Sequence, residues 1–405
     1  MIKFSKKIKA ILLISTVCLF NIYATSSFSG LAGAKINYSG NTIDSKYNPD
    51  LKLQAFFAGQ FNFSDNIWGR TEFSLDTGDF INENILQETS SMFQIDEISL
   101  NFRGNLGKSI NYFSIFLGTF EPIGSDVFLQ RYFGIKPIAS KITESWLGLS
   151  GSILYPQRGF GISDTLKFIN KPIAINLAAY INSDENDTFV YNTDLRFSTN
   201  LRYFTFDVLC GIGLPFGNKY TDENYIFVVE KIYWHAGTNI LIGNDYTQSL
   251  FIQAGIFNAS FTGKNNFDWA KKNIYLLFEP RFNLDKLNCD ITLYNIPENN
   301  VKELQHIDDV LGVNINLYSE NVKIKNNSFT IGFHTNIGFK NTSIFDIKNI
   351  SKVTKEYISL NFTGYTKSNF LSGELQLMVK LRAMEAINGN SGNLFSCGIG
   401  FRTKI

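Results

Sequence analysis

The side chains of this sequence that are best suited to catalysis or metal binding are three histidines, His235, His306 and His334. A zinc site needs several His or Cys ligands at short spacing, and neither His235 nor His306 has such a partner nearby in the sequence. His334 stands two positions before Asn336, where a hydrolase that used the two together would need a serine nucleophile, and an amide cannot play that role. We therefore expect no enzymatic activity, no metal and no cofactor.

Two other segments carry residue types that bind phosphate or cations. Gly107-Lys108-Ser109 ends like a phosphate-binding loop, but that motif requires a glycine five residues before Gly107, where this sequence has Phe102. A turn between two strands explains the three residues better. The acidic run 184–187 is more typical of a solvated turn than of a cation site.

The overall composition limits the classes of protein that the chain can belong to. The 405 residues have a formal net charge of +1, and 44% of them are hydrophobic while 18% are charged. A disordered chain would have fewer apolar residues and a larger net charge, so this class is excluded. A nucleic-acid-binding protein would usually carry a basic excess, which is missing here.

The first 26 residues have the layout of a secretory signal peptide. Four lysines between positions 3 and 9 precede an almost wholly apolar run at 10–23, and small residues follow at Ala24-Thr25-Ser26. We expect residues 1–26 to be removed and residues 27–405 to form one domain. A lipoprotein acylated at Cys18 is the less favoured alternative, because the residues before Cys18 do not suit a lipobox.

From residue 28 onward, apolar and polar side chains alternate along the chain. The alternation is clear in 51–63, 203–214, 310–318, 329–340 and 371–382. A period of two predicts β-strands with one apolar and one polar face. The cysteines in this part of the chain fall on apolar faces, are odd in number and lie far apart, so no disulfide framework is expected: Cys210, Cys289 and Cys397.

These predicted strands are too long for an ordinary soluble sheet. They run for roughly ten to thirteen residues, the length that a tilted strand needs to cross a bilayer, whereas no run of about 18 apolar residues predicts a transmembrane helix. Backbone groups in lipid must be paired internally, so such a sheet must close. The leader, the strand pattern and the last strand together resemble porin-type bacterial outer-membrane barrels. The resemblance implies an all-β fold, a transmembrane antiparallel β-barrel of about 18 strands (range about 16–20) in the outer membrane.

The predicted connections alternate between short turns and longer polar stretches. Short turns are expected at 64–66, 170–171, 200–201, 243–245, 285–286 and 367–369, and long connections at 41–50, 78–91, 182–189, 215–224, 261–272, 296–308, 341–354 and 384–392. The alternation holds along the whole chain only if 121–158 is one long connection, which gives the even strand number of bacterial barrels. The open alternative is a strand at 145–154, which would add a hairpin and give about 20 strands.

The connection 121–158 is the segment most informative about function. It is too long and too apolar for a simple solvated tip, and porin-type barrels commonly fold one such connection into the lumen. Because charged groups at a constriction set ion selectivity, the charges there and on the polar strand faces form the candidate site. For each residue the alternative is that its charge only pairs with a neighbouring charge and has no role in selectivity. Because the charges are of both signs, no strong ion preference is predicted. The candidates are Glu121, Asp126, Arg131, Lys136, Lys141 and Arg158 on the connection, and Arg70, Glu72, Arg281, Lys380 and Arg382 on the strands.

The last strand, 395–405, also resembles the closing strand of outer-membrane barrels, which the assembly machinery recognises. It departs from the usual pattern because Ile405 stands where Phe or Tyr is common. The partners that we expect are outer-membrane lipid, this machinery and small hydrophilic solutes. No nucleic acid is expected, and the sequence leaves a homo-oligomer open.

The function implied by the resemblance is a porin-like channel for the passive diffusion of small hydrophilic solutes. Two alternatives stay open. One is a surface-exposed binding protein or adhesin built on a barrel, and the other is a fatty-acid-type transporter with a blocked lumen. A measured single-channel conductance would separate the channel from both.

Overall fold

The computed structural model describes fifteen stretches of the chain, and the fold below refers to them. They are residues 27–43, 46–79, 81, 92–122, 124–144, 158–183, 189–216, 231–243, 248–262, 266–302, 304–324, 327–340, 342–345, 357–389 and 393–405. The predicted signal peptide, 1–26, and the acidic run, 184–187, lie outside these residues, so both stay predictions.

In the described part of the chain, eighteen long antiparallel strands form one closed barrel, and a three-residue strand, β12, extends one connection. The predicted all-β barrel of about 18 strands is therefore confirmed. The strands are β1 (Ser27–Ile43), β2 (Lys46–Ser64), β3 (Ile67–Asp76), β4 (Met92–Leu106), β5 (Ser109–Thr119), β6 (Arg158–Phe168), β7 (Ile173–Ser183), β8 (Phe189–Leu201), β9 (Phe204–Phe216), β10 (Lys231–Gly243), β11 (Gln248–Thr262), β12 (Asn266–Asp268), β13 (Ile274–Leu284), β14 (Leu287–Asn295), β15 (Leu311–Ile324), β16 (Asn327–Phe339), β17 (Ile358–Phe370), β18 (Gly373–Arg382) and β19 (Phe395–Lys404).

The barrel closes because its first strand pairs with its last. β1 lies between β2 and β19, and its pairing with β19 runs from Leu31 opposite Lys404 to Ser39 opposite Ser396. The backbone N–H groups of Gly30 and Ile405 each donate to the other's carbonyl at 2.9 Å. All the long strands thus have neighbours on both sides, which satisfies their backbone groups without water.

The two faces of the wall differ in polarity as the sequence predicts. On β16, the outward Phe333 is 44% exposed whereas the next residue, His334, is 1% exposed. On β18, Leu377 points outward and Gln376 inward in the same way. Cys210 and Cys397 are free and exposed on the outer face. An apolar band around the outside of a closed barrel matches the hydrocarbon of a bilayer, so this is a membrane barrel.

Short helices lie in the connections and not in the wall. Within the described residues they are α1 (Val127–Phe133), α2 (Glu298–Val301) and α3 (Ala383–Ile387), with a 3₁₀ turn at Lys271–Asn273. No helix among the described residues is both long and apolar enough to cross a membrane.

The predicted alternation of short and long connections is present, with local errors. The turns at 65–66, 107–108 and 285–286 lie where they were predicted. The stretch 41–50 is not a loop, because β1 and β2 continue through most of it as a paired hairpin. The backbone pairing of two strands needs no apolar side chains, so a polar stretch there was wrongly interpreted as a loop. The break between β15, which ends at Ile324, and β16, which begins at Asn327, was not predicted.

The interpretation of 121–158 as one connection is confirmed by the pairing of the strands on either side of it. β5 pairs directly with β6, from Ser109 opposite Phe168 to Thr119 opposite Arg158. No position therefore remains between these two neighbours in the wall for an additional hairpin. Residues 145–157 themselves lie outside the described part of the chain.

Candidate functional site

The connection after β5 turns into the barrel as soon as the strand ends. Glu121 and Gly124 bend the chain with positive φ angles of 48° and 72°. A Cβ at Gly124 would lie 2.2 Å from the hydroxyl of Tyr275, so only glycine allows this approach to the wall. α1 follows at once and buries Phe128 and Leu129 completely, both at 0% exposure. The described residues of 120–144 are called the first inserted connection below.

Donors on three wall strands hold the start of this connection by its backbone. Arg196 on β8 donates from Nη1 to the carbonyl of Glu121 at 3.0 Å and from Nη2 to that of Ser125 at 3.1 Å. Asn239 on β10 donates to the same Ser125 carbonyl at 3.0 Å, and Gln253 on β11 donates to the carbonyl of Gly124. These bonds satisfy carbonyls that would otherwise be buried without partners.

Arg131 on α1 reaches β4, the wall strand next to β5. Its Nη2 donates to Oε2 of Glu97 on β4, its Nη1 lies 3.7 Å from Oε1 of Glu121, and its guanidinium lies 5.1 Å from the centre of the Phe120 ring. Burial raises the pKa of Glu121, although the nearby Arg131 and Arg196 act against this rise. The arrangement places one cation between two carboxylates inside the barrel.

Asp126 organises the inserted connection itself. Its Oδ2 accepts hydrogen bonds from the backbone N–H groups of Ile138 and Ala139 at 2.5 and 3.0 Å, and its Oδ1 accepts one from Gln130 at 2.7 Å. Burial raises the pKa of this carboxyl even though these three donors oppose the rise. Asp126 is 1% exposed, so its contacts are those of a residue that shapes the turn.

The far end of the first inserted connection reaches β13 and β17. Arg281 donates from Nε to Oε1 of Glu279 at 2.8 Å and from Nη2 to the carbonyl of Ile138 at 2.7 Å. Glu144 lies 3.6 Å from the ammonium groups of both Lys141 and Lys367. Burial alone would raise the pKa of Glu144, but Lys141 and Lys367, with a smaller contribution from Arg402, outweigh it and lower the pKa to about 2.

A second connection, between β14 and β15, also folds inward, which the sequence analysis did not predict. Lys380 on β18 donates to Oδ1 of Asp308 at 2.7 Å, and Arg382 donates to Oδ2 at 3.0 Å. The imidazole of His306 stacks on that of His334, with ring centres 3.8 Å apart. The described residues of 296–310 are called the second inserted connection below.

The two inserted connections meet in an apolar cluster inside the barrel. Ile142 from the first packs with Ile296, Val301 and Ile307 from the second, against Tyr275 and Tyr294 of the wall. Each of these side chains is at most 6% exposed. Because apolar contacts join them, the two connections form one packed unit inside the barrel.

Most of the predicted site charges therefore make contacts that hold this unit together or tie it to the wall, whereas four others are half-buried on β3 or exposed. Arg70 and Glu72 are half-buried on the inner face of β3, where Arg70 donates from Nε to Gln60 at 2.9 Å. Lys136 and Arg158 are exposed. The residues whose contacts tie the unit to the wall or shape it are Glu121, Asp126, Arg131, Lys141, Arg281, Lys380 and Arg382. A role of any of them in selectivity stays a prediction.

The packed unit covers the inner face of the wall unevenly. Inward side chains beneath it are fully buried, as Ser198, Gln253, Asn314 and Thr363 show at 0% exposure. On β1–β3 and β18–β19 the cover is incomplete: the inward Lys35, Phe56, Gln376 and Lys380 are buried, but other inward side chains keep part of their surface exposed, and these include Asn37, Gln54, Gln60, Arg70, Glu72, Glu374 and Arg402. This second set is called the open sector. It carries both signs of charge, and Arg402 and Glu374 pair at 2.9 Å.

Metal and catalytic chemistry can be assessed only for the described residues. Among them, no group of three His, Cys, Asp or Glu side chains could hold a metal ion. His235 lies with its Nε2 2.5 Å from Oδ1 of Asp194, and both are buried in the wall. The expectation that the protein has no enzymatic activity stays a prediction.

The fold and the inserted unit define the class of protein. A closed antiparallel barrel with an apolar exterior, a polar inner face and a long connection folded into the lumen has the architecture of porin-type membrane barrels. No protein-family model matches the chain, and no curated protein matches it.

Solved structures similar to this chain are outer-membrane proteins at low identity. A loop L8 deletion mutant of OmpT, an outer membrane protein of Vibrio cholerae, is 9% identical, with a TM-score of 0.39 over 94% of this chain and 99% of that one. A mutant of Rh. blastica porin is 6% identical, with a TM-score of 0.41 over 94% and 100%. A Salmonella typhi OmpF complex with daunomycin is 12% identical, with a TM-score of 0.41 over 95% and 99%.

Proposed function

We propose that the protein is a porin-like channel of the outer membrane, through which small hydrophilic solutes diffuse passively. The observation that carries this proposal is the uneven cover of the inner wall. Barrels of sixteen to eighteen strands are wide enough for an aqueous passage, and here the inserted unit fills part of that width. The polar side chains of the open sector stay partly exposed where the cover of the wall is incomplete.

The chemistry of the open sector supports the passage of hydrophilic solutes. Gln54 and Gln60 offer amide groups, and Arg70 and Glu72 add one charge of each sign on the neighbouring strand. Such side chains can replace the hydration of a polar solute at low cost, whereas they would oppose a fatty acid. Because charges of both signs are present, we expect the passage to admit solutes of either charge and to have no strong ion selectivity.

We propose the outer membrane as the location of the protein and no catalytic role for it. An apolar exterior requires lipid, and bacterial barrels of this type stand in the outer membrane with their long connections outward. The predicted signal peptide would deliver the chain across the inner membrane, and β19 would be the strand that the assembly machinery recognises. An adhesin that uses only its outer connections would need no open sector.

Conductance of the purified full-length protein tests the proposal. We expect stepwise, ohmic conductance in planar bilayers, and swelling of proteoliposomes in sugars at rates that fall as the sugar becomes larger. Correct insertion is checked in each sample by the anomalous gel migration of the unheated barrel. An inserted barrel that gives neither conductance steps nor swelling would contradict the proposal and favour the adhesin.

A further inference from the structure

A cavity lies at the end of the barrel that carries the long connections. Its volume is about 290 Å³, and it lies between the second inserted connection and the ends of β16, β17 and β18. The side chains that matter for its chemistry are Asp308, Asp309, Lys340, Ser359, Asn361 and Arg382. Long connections face outward in bacterial barrels, so a solute would meet this cavity as it enters the barrel.

Most charges around the cavity are already paired with one another. Arg382 donates to Asp308 at 3.0 Å, and Lys340 donates to Glu385 on α3 at 3.0 Å. Burial opposes the ionisation of Asp308, but Lys380 and Arg382 outweigh it and lower its pKa. These pairs place two cationic groups at the cavity without leaving either of them in need of a ligand.

Asp309 differs from its neighbour because no cationic group of the described residues pairs directly with its carboxylate, although Lys340 and Lys380 act on it from farther away. It is 8% exposed and accepts a hydrogen bond from the hydroxyl of Ser359. Among the described residues, no Lys, Arg or His nitrogen lies within 4.0 Å of its carboxylate. A buried carboxylate without a cation is a costly arrangement, and an ammonium group in the cavity would relieve it.

Asn361 provides the complementary group. It is 2% exposed on the inner face of β17, it lines the same cavity, and among the described residues its Nδ2 has no hydrogen-bond partner. Buried amide donors are nearly always satisfied, so this one calls for an acceptor that the described part of the chain does not supply. Within the described residues, the cavity thus presents a carboxylate without a directly paired cation, Asp309, and an amide donor without an acceptor, Asn361.

We propose that this cavity binds small zwitterionic solutes of the α-amino-acid class. The ammonium group would bind the carboxylate of Asp309, and the carboxylate would accept a hydrogen bond from Nδ2 of Asn361 near the cations Lys340 and Arg382. The volume suits a molecule smaller than the drug-sized ligands that fill cavities of 300–1,000 Å³. A role of this cavity in transport rests on the proposed channel function, whereas binding at the cavity does not require conduction.

Four probes of similar size separate the zwitterion from its parts. L-alanine carries both charges, isopropylammonium only the cation, lactate only the anion, and lactamide neither. Saturation-transfer NMR on the full-length barrel in detergent would measure their binding at pH 7. We expect L-alanine to bind at least fivefold more tightly than each of the other three. Equal binding of lactamide or isopropylammonium would overturn the proposal.

Variants locate the binding at the cavity. Asp309→Asn and Asn361→Leu keep the size of each side chain, and each is expected to weaken L-alanine binding at least fivefold. Asp76→Asn is the matched control, because Asp76 is an inward aspartate at the same end of the barrel that hydrogen-bonds Gln54 at 2.8 Å outside the cavity. All variants are checked for unheated gel migration. Undiminished binding in both cavity variants would overturn the site.

Liposome swelling separates this inference from the proposed function. We expect L-alanine to enter proteoliposomes at least twofold faster than lactamide, and Asp309→Asn to remove that difference while lactamide entry stays the same. Binding of L-alanine without any swelling would support the site and contradict the channel. Swelling without preferential L-alanine binding would support the channel and overturn the site.

Discussion

Arg196 and Asp207 form a bidentate ion pair on the inner wall that also holds the first inserted connection. The Nε and Nη2 groups of Arg196 donate to the two carboxylate oxygens of Asp207 at 2.8 and 2.6 Å. The same guanidinium donates to the carbonyls of Glu121 and Ser125. One arginine therefore stabilises the pairing of β8 with β9 and fixes a lumenal segment against it.

Replacing Arg196 separates these two roles. Arg196→Met leaves the buried carboxylate of Asp207 without its cation, so we expect the free energy of unfolding in lipid vesicles to fall by about 3–5 kcal/mol. The double variant Arg196→Met/Asp207→Leu removes the lone charge and should recover most of this loss. Both variants lack the donors to Glu121 and Ser125. Amide exchange in 124–144 should therefore be faster than in the wild type in the single variant and in the double variant alike. Full restoration of both properties by the double variant would show that the arginine does not anchor the connection.

The contact between the two inserted connections makes a second prediction. Ile142 is 2% exposed within their shared cluster, and Ile142→Ala should cost about 2–5 kcal/mol of unfolding free energy. Because the cluster joins both connections, amide exchange should rise in 296–302 as well as in 124–144. Ile399→Ala, on the lipid-facing side of β19, is the control and should change amide exchange in neither segment. A rise confined to 124–144 would mean that the two connections do not act as one unit.

The pairs made by Glu144 should make stability depend on pH. Its pKa of about 2 in the folded protein is below the ordinary value of about 4.3, so the stabilisation is present above about pH 5 and is lost as the pH falls towards 2. Glu144→Gln should therefore lower the unfolding free energy at pH 7 by about 1–2 kcal/mol, since partial exposure weakens both pairs. The variant and the wild type should converge near pH 2. A difference that is independent of pH would show that the lysines do not hold Glu144 ionised.

The wall of the barrel could be predicted from the sequence because each strand carries its own evidence. Alternation such as Phe333 next to His334 indicates which face of the strand contacts lipid, and this can be predicted without knowing which distant residues lie nearby. Turn positions were less secure. The prediction placed one turn at 367–369, where Lys, Ser and Asn favour turns, whereas the chain turns at Leu371 and Ser372 with φ angles of 46° and 62°. The pairing of Phe370 with Gly373 fixes that register.

The inserted unit shows what the sequence could not supply. The length and apolar content of 121–158 predicted one connection in the lumen, but the second inserted connection was interpreted as an ordinary outer loop. Its own signal was present as Ile296, Val301 and Ile307 in a polar stretch. Their partner, Ile142, lies more than 150 positions away from all three, so only the folded chain shows that the four side chains meet.

The most direct test of the account is whether the open sector lines an aqueous passage. Gln54→Cys places a thiol in that sector, and Ser198→Cys places one on the inner face beneath the inserted unit, where Ser198 is 0% exposed. The exposed native cysteines, Cys210 and Cys397, face lipid and should not react with a charged, water-soluble thiol reagent. During single-channel recording, the reagent should block most of the conductance of Gln54→Cys and leave Ser198→Cys and the wild type unchanged. Full conductance of Gln54→Cys after its thiol has reacted completely would contradict a passage along β1–β3.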